Sequence, residues 1–405
     1  MNIPGPQKTS ELINRAFDLG VGIIYGEISG VKILSEYKKY DKCGPVLILS
    51  VEADALKLKE LFTKIEDEHP IGRLFDIDVI ASDGTHLSRG EQRCCIVCGA
   101  AGRACSAGRL HPLEELVFVT DKMMRDYFLD ADARRVGALA KSSLLSEVYT
   151  TPKPGLVDRE SSGSHCDMSV ADFELSASAL EPYFEDCFKA GVNSDSASLF
   201  PTLRRLGLDA ESKMYQATGG KNTHKGAIFT YGIIIGALGS LTGLTGRLPK
   251  IDALLSESGR ICHTFLEADL LGFNGKTAGE RAYIDRGVKG IRGEAMEGFP
   301  TLSNIAIPVY NSALGAGKNK NDAGVITLLH LIANVYDTCL YKRGGDVGVV
   351  FAKEYARSVL ASRNVDLDEV REMDTEFTER NLSPGGCADL LALTYFLCEL
   401  DSLSL

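Results

Sequence analysis

Between Lys225 and Arg247 the chain carries 21 consecutive residues without a formal charge. So long an uncharged stretch has two fates: a membrane span or the centre of a helical core. Six glycines, with several Ser and Thr, favour the core. Gly232, Gly236, Gly239 and Gly243 leave notches where neighbouring helices can come close. The expectation is a buried central helix over residues 225–244 and no membrane partner.

At 405 residues the chain exceeds one ordinary core and calls for two domains or three. A net charge of −11 argues against a broad nucleic-acid footprint, which needs a basic surface. Anionic ligands would have to be held by local Lys and Arg clusters. No charged-then-apolar signal pattern opens the sequence, so a cytoplasmic chain is expected. Its 11 cysteines are then thiols or metal ligands rather than a disulfide frame.

The first third reads as mixed α/β. Residues 22–28 and 46–51 read as strands, and residues 53–68 as a helix on Leu56, Leu61 and Ile65. Residues 74–81 alternate as a strand that leads into the hairpin signal Asp83-Gly84. Beyond residue 130 helical periodicity takes over, with helices expected over 134–149, 225–244, 251–270, 323–338, 366–379 and 387–400. The fold class is therefore two-domain: a small α/β amino-terminal domain (1–122) followed by a larger all-α domain (130–405). The composition shift at 118–132 marks the boundary.

Asp76-Ile77-Asp78 is the sharpest chemical feature of the first third. On a strand both carboxylates share one face, and two hard oxygen ligands suit Mg²⁺ on a phosphate chain. The bland alternative is a solvated strand face. Further on, Cys95, Cys98, Cys105 and His111 offer four ligands for tetrahedral Zn²⁺, but the spacing after the first pair is irregular and buried or free thiols are the favoured reading. Arg93, Arg103 and Arg109 are candidate phosphate contacts. The run Gly72-Arg73-Leu74-Phe75-Asp76-Ile77-Asp78-Val79, with Asn2-Ile3-Pro4-Gly5-Pro6 and His69-Pro70, resembles the holo-citrate-lyase synthases. Those are phosphoribosyl-dephospho-CoA transferases that modify the acyl carrier subunit of citrate lyase. The likeness covers most of residues 1–115 and implies catalytic, Mg²⁺-binding roles for Asp76 and Asp78, with Arg73 on phosphate. By that resemblance the amino-terminal part is shortened, since the family starts several dozen residues before its Asn-Ile-Pro-Gly segment. Either the missing part is dispensable in a fused chain or this half is incomplete.

A helical stripe of Val136, Leu139, Leu144 and Val148 runs into Pro152 and Pro154, which must stop it. The loop beyond is dense in polar groups: Lys153, Asp158, Arg159, His165 and Asp167. Asn222-Thr223-His224-Lys225-Gly226 opens the uncharged helix, a place that receives phosphate well; simple capping accounts for its first two residues alone. Arg292 and Glu294 lie among glycines that argue against a simple helix, Arg292 to fork onto phosphate and Glu294 to bind Mg²⁺ or take a proton. Asp337-Thr338 and Arg343-Gly344-Gly345-Asp346 sit where an apolar helix is expected to end. Ser383-Pro384-Gly385-Gly386 opens another helix carrying Asp389, which at a first turn is most often an electrostatic cap. Gly315-Ala316-Gly317-Lys318 is no P-loop, because Ser312 and Asn319 break the pattern and no strand precedes it.

These separated motifs resemble the triphosphoribosyl-dephospho-CoA synthases over residues 135–400. The resemblance implies ATP and 3′-dephospho-CoA as substrates, with adenine released and the triphosphate retained. Lys153, Asn222, Lys225, Arg292, Arg343 and Asp389 would bind substrate or phosphate. Asp158, Asp167 and Glu294 would bind metal or act as base, and His165 and His224 would transfer protons. The whole is expected to be a bifunctional transferase whose second activity labels the citrate lyase carrier subunit and releases pyrophosphate. Two rivals stay open. In one, only the synthase part is active and the shortened first part docks the carrier; in the other, the chain is a zinc-containing scaffold.

Overall fold

The structure is a computed structural model describing residues 1–90, 92–362 and 364–403. The chain divides into two compact units: Met1–Ala131 with Leu244–Gly246, and Asp132–Gly243 with Arg247–Leu405.

In the first unit, Ser10 accepts the N–H of Ile13 and starts helix α1 (Glu11–Glu27). Leu12, Ile13, Ala16, Phe17, Gly20 and Val21 are its buried stripe. Residues 22–28, expected as a strand, are therefore its last turns and cap, because a short apolar run read alone does not separate the two periods. Strands β1 (Lys32–Lys39) and β2 (Val46–Glu52) pair antiparallel. β1 gives no sequence signal, since every one of its residues is exposed. Helix α2 (Ala55–Glu68) starts on Asp54, and the Asp83-Gly84 turn joins strands β3 (Val79–Ile80) and β4 (His86–Leu87).

The strand expected over residues 74–81 shrinks to β3, and Ile77 explains why. Its N–H goes to the side chain of buried Glu66 at 2.8 Å and its C=O to Lys59 Nζ at 3.1 Å, so neither remains for a ladder. A core of Ile3, Leu12, Ile13, Ala16, Ile71, Leu74, Phe75, Met124 and Phe128 closes this unit. Helix α3 (Gly102–Gly108) follows, and then α4 (Leu113–Tyr149), which runs through residues 118–132 unbroken. The composition shift there is real but leaves no mark on the helix.

The second unit contains only helices among its described residues: α5 (Val170–Asn193), α6 (Leu199–Ala217), α7 (Lys225–Thr242), α8 (Ile251–Leu271), α9 (Ala278–Arg286), α10 (Gly290–Met296), a π-helical turn (Leu302–Ala306), α11 (Ile307–Gly315), α12 (Lys320–Asn334), α13 (Thr338–Leu360), α14 (Leu367–Glu379) and α15 (Gly385–Glu399). The chain is thus a small α/β unit followed by an all-α one. Two local readings change. Arg292 and Glu294 lie on a short helix, α10, despite the flanking glycines. Residues 337–346 do not end an apolar helix but open the next, because the Asp337 carboxylate accepts the N–H groups of Cys339 and Leu340 and starts α13.

Helix α7 packs against α5, α6, α8 and α15. It is long and apolar enough to cross a bilayer, yet most of it is buried inside the unit, as a core helix is. The notches at Gly232, Gly236 and Gly239 are used, whereas Gly243 is the C-cap and a Cβ there would meet nothing within 4 Å. A Cβ on Gly239 would lie 2.2 Å from the Phe188 carbonyl, and one on Gly191 would lie 2.1 Å from the Gly236 carbonyl. The α5 and α7 backbones therefore touch. Gly191→Ala should destabilise this unit by about 1–3 kcal/mol or more, since backbone rather than a flexible side chain must yield. Gly279→Ala on α9, where a Cβ meets nothing within 4 Å, should be neutral or slightly stabilising. Thermal unfolding of both variants checks the contrast.

Candidate active sites

In the second unit the loop after α4 is built around two buried charges. Lys153 is only 1% exposed, and its ammonium donates to the Glu147 carbonyl at 2.8 Å and to the Glu147 carboxylate. Asp158 holds the loop from within, accepting the N–H groups of Lys153, Glu160 and Ser161 at 2.7–2.9 Å. From α14, Asp374 takes the Gly155 N–H and the Ser161 hydroxyl, each at 2.8 Å. So many anchors fix a segment whose prolines forbid helix.

Three helix starts meet the same neighbourhood. Asp389 of α15 accepts the Ala227 N–H at the start of α7, packed so closely that a Cβ on Gly226 would lie 1.8 Å from its Oδ2. Asp337 caps α13 and also takes the Cys387 N–H of α15 at 2.9 Å. His224, at the α7 N-cap, bonds Ser176 through Nδ1 at 2.7 Å, while its buried Nε2 has no partner. Burial, then the charges of Glu147 and Asp337, pushes the Asp389 carboxyl well above the ordinary range. Burial also raises Glu147, opposed by Lys153, and raises Asp337. Burial and then Lys153 push His224 down to about 3.

The structure thus gathers Lys153, Asp158, His224 and Asp389, and adds Glu147 and Asp337, to which sequence reasoning gave no site role. Asp337 carried a signal, an Asp one residue before a helix; Glu147 carried none, sitting on an ordinary helix face. His165 and Arg343 form a second group: His165 Nε2 bonds Ser383 at 2.9 Å, and Arg343 reaches the Ser164 carbonyl at 3.0 Å and the His165 ring at 3.3 Å. Exposed Asp167 acts on His165 only through its charge. Asn222 is exposed at the approach to α7. Lys225 pairs with Glu211 at 2.7 Å, and Glu211 and Arg292 line a small cavity of about 170 Å³. Glu294 is occupied, its carboxylate accepting the Thr301 N–H and hydroxyl at 3.1 and 2.6 Å.

In the first unit, Arg73, Arg89, Arg93 and Arg109 line a cavity of about 990 Å³ together with Asn2, Cys95, Cys105 and His111. Arg73 donates to the Cys94 carbonyl, while another of its nitrogens and two of Arg89 are buried without partners. Unpaired buried guanidinium N–H groups suit an anion. The side chain of Arg103 lies outside the described residues. Asp76 and Asp78 are both exposed, flanking half-buried Ile77, and line a second cavity of about 750 Å³. No ladder holds them; between them only the Ile77 backbone is fixed, by Glu66 and Lys59. Arg93 pairs with Glu66 and lies 3.8 Å from Asp76. Cys95, Cys98, Cys105 and His111 come together, and all 11 cysteines are free thiols.

Acid should loosen the second unit through His224. Its pKa falls from 6.5 in the unfolded chain to about 3 in the fold. Between those values the unfolded state binds the extra proton, so stability drops as pH falls, by at most about 1.4 kcal/mol per pH unit. His224→Asn, which keeps the Ser176 contact, should flatten that slope in pH-dependent denaturant melts.

Comparison with known proteins agrees with this division. Residues 133–405 match the CitG family model, ATP:dephospho-CoA triphosphoribosyl transferase, and residues 1–127 match CitX, apo-citrate lyase phosphoribosyl-dephospho-CoA transferase. The chain is 33% identical to Protein CitXG of Leuconostoc mesenteroides subsp. cremoris, across 99% of this chain and 90% of that protein. It is 41% identical to the 2-(5″-triphosphoribosyl)-3′-dephosphocoenzyme-A synthase of Pectobacterium atrosepticum, across 69% of this chain and 92% of the synthase. The chain therefore belongs to the family that fuses a CitX transferase domain to a CitG synthase domain, and it is a bifunctional transferase.

Proposed function

We propose that the second unit joins ATP to 3′-dephospho-CoA and that the first passes the product to the acyl carrier subunit of citrate lyase. In the first reaction the 2′-hydroxyl of dephospho-CoA forms a bond to C1′ of the ATP ribose. The C1′–N9 bond breaks, adenine leaves with a proton, and the triphosphate stays on the ribose. The observation that carries this reading is the buried Glu147–Lys153–Asp389–His224 group at the start of α7. Asp389 is the proposed acid–base group, because burial moves its carboxyl toward the operating range of proton transfer. Carboxylates around C1′ also favour the developing oxocarbenium charge. The α7 amino terminus, with Asn222 and Lys225, would hold phosphate, as would Arg292 and Arg343. Asp158 positions the loop, and Glu294 stays with Thr301.

In the second reaction a serine hydroxyl of the carrier attacks the phosphate nearest the ribose, a phosphodiester forms, and pyrophosphate leaves. The arginine-lined cavity suits the polyphosphate, and exposed Asp76 and Asp78, either side of Ile77, offer hard oxygens of the kind Mg²⁺ prefers. A bound Mg²⁺ would neutralise charge on the phosphate chain. One unit's product is the other's substrate, which gives the fusion its sense.

Incubating the full chain with ATP should release free adenine only when 3′-dephospho-CoA is present; ADP or AMP in its place overturns the reading. Asp389→Asn, which can still accept the Ala227 N–H, should slow adenine release about 10²–10⁴-fold without unfolding the protein. Asp78→Asn should abolish the mass increase of the carrier subunit while leaving adenine release unchanged, as independent sites require. Equal labelling by wild type and variant would reduce the Asp pair to a solvated face.

A further inference from the structure

We propose that Cys95, Cys98, Cys105 and His111 form a structural zinc site that pins the arginine-lined wall of the first unit's large cavity. Their ligand atoms all lie within 4.8 Å of one another, and the Cys98 and Cys105 sulfurs are 3.4 Å apart. Tetrahedral zinc, with bonds of about 2.3 Å to sulfur and 2.0 Å to nitrogen, sets its ligand atoms about 3.5–3.8 Å apart. Only small side-chain adjustments separate the two arrangements.

The backbone is built for this. The Cys95 N–H bonds the Ala100 carbonyl at 2.6 Å, the Gly99 N–H bonds the Cys95 carbonyl at 3.0 Å, and Cys94 pairs with Ala101 across the turn. Gly99 has a φ of +72°, which lets the chain fold back beneath the two sulfurs. The Ala100 N–H points at the Cys98 sulfur, as a donor to a metal-bound thiolate does. Cys105 comes from α3, and His111 completes the set. The His111 ring faces Cys98. Its Nδ1 is paired with the Glu115 carboxylate at 3.2 Å, while Nε2 is buried without a hydrogen-bond partner. A carboxylate behind a histidine is the usual support for a ligating imidazole.

Four protein ligands make a closed site, so the role is structural and not catalytic. Its connections show what it would hold. Cys94, whose carbonyl receives Arg73, precedes the first ligand; the Arg93 carbonyl receives the Gly102 N–H at 3.1 Å; and Arg109 stands between the third and fourth ligands.

The test uses the full chain, purified without chelator. Elemental analysis should find about one zinc per chain. Exchange for Co²⁺ should give the intense visible bands of a tetrahedral thiolate site. Cys98→Ser and Cys105→Ser should lose both signals, whereas Cys94→Ser, exposed and outside the set, should keep them. Chelation should lower the unfolding temperature of the wild type, because the site binds the folded state. If the cysteine variants fail to fold, the wild-type cobalt spectrum decides alone. Wild-type protein that holds no zinc and takes up no cobalt overturns the proposal. So does an intact mass lower by two hydrogens from a Cys98–Cys105 disulfide.

Discussion

The buried pairing of Lys153 with Glu147 is the interaction on which the second unit's chemistry depends. An ammonium removed from water is tolerable only beside a carboxylate and with its donors used, and Glu147 supplies both a carboxylate and a carbonyl. The same contact ties the loop back onto the final turn of α4. Removing either partner would leave a lone charge in a dry interior, which costs far more than the pair contributes. Around it Asp158 shapes the loop, His224 is kept neutral, and burial raises the Asp389 carboxyl well above the ordinary range.

In the proposed reactions both units must grip a polyanion on an acidic protein, and they offer different means. The chain carries 44 Lys and Arg against 55 Asp and Glu, so its global field repels phosphate. In the first unit, Arg73, Arg89, Arg93 and Arg109 concentrate positive charge around one cavity. In the second, the proposed reading leaves the phosphates to helix starts and a few isolated cations, while carboxyls dominate the buried centre. That centre suits a reaction in which positive charge develops on a sugar, and the arginine cavity suits one in which negative charge moves between phosphates.

Much of this was legible in the chain. The uncharged run over α7 announced a core helix, and its glycines announced close backbone contact. Asp83-Gly84 announced the β3–β4 hairpin. What stayed hidden was hidden for physical reasons. β1 is exposed along its whole length, so burial wrote no pattern into it. α1 was misread because its last turns are apolar in a row. The Asp76–Asp78 segment failed as a strand because Glu66 and Lys59, from another element, take the Ile77 backbone groups. In the buried cluster at the start of α7, Lys153 and Asp389 stood in motifs the sequence singles out, but Glu147 did not, since a carboxylate on a helix face looks solvated until something covers it.

Asp337 shows how local chemistry can set the cooperativity of a fold. One carboxylate serves the amides of Cys339, Leu340 and Cys387, residues on two helices whose beginnings lie about fifty positions apart. Those helix starts cannot fray independently, because losing the shared acceptor strands three donors at once, those of Leu340 and Cys387 buried. In hydrogen exchange the three amides should open as one unit, so that a single oxygen pair sets the rhythm at which this corner of the protein breathes.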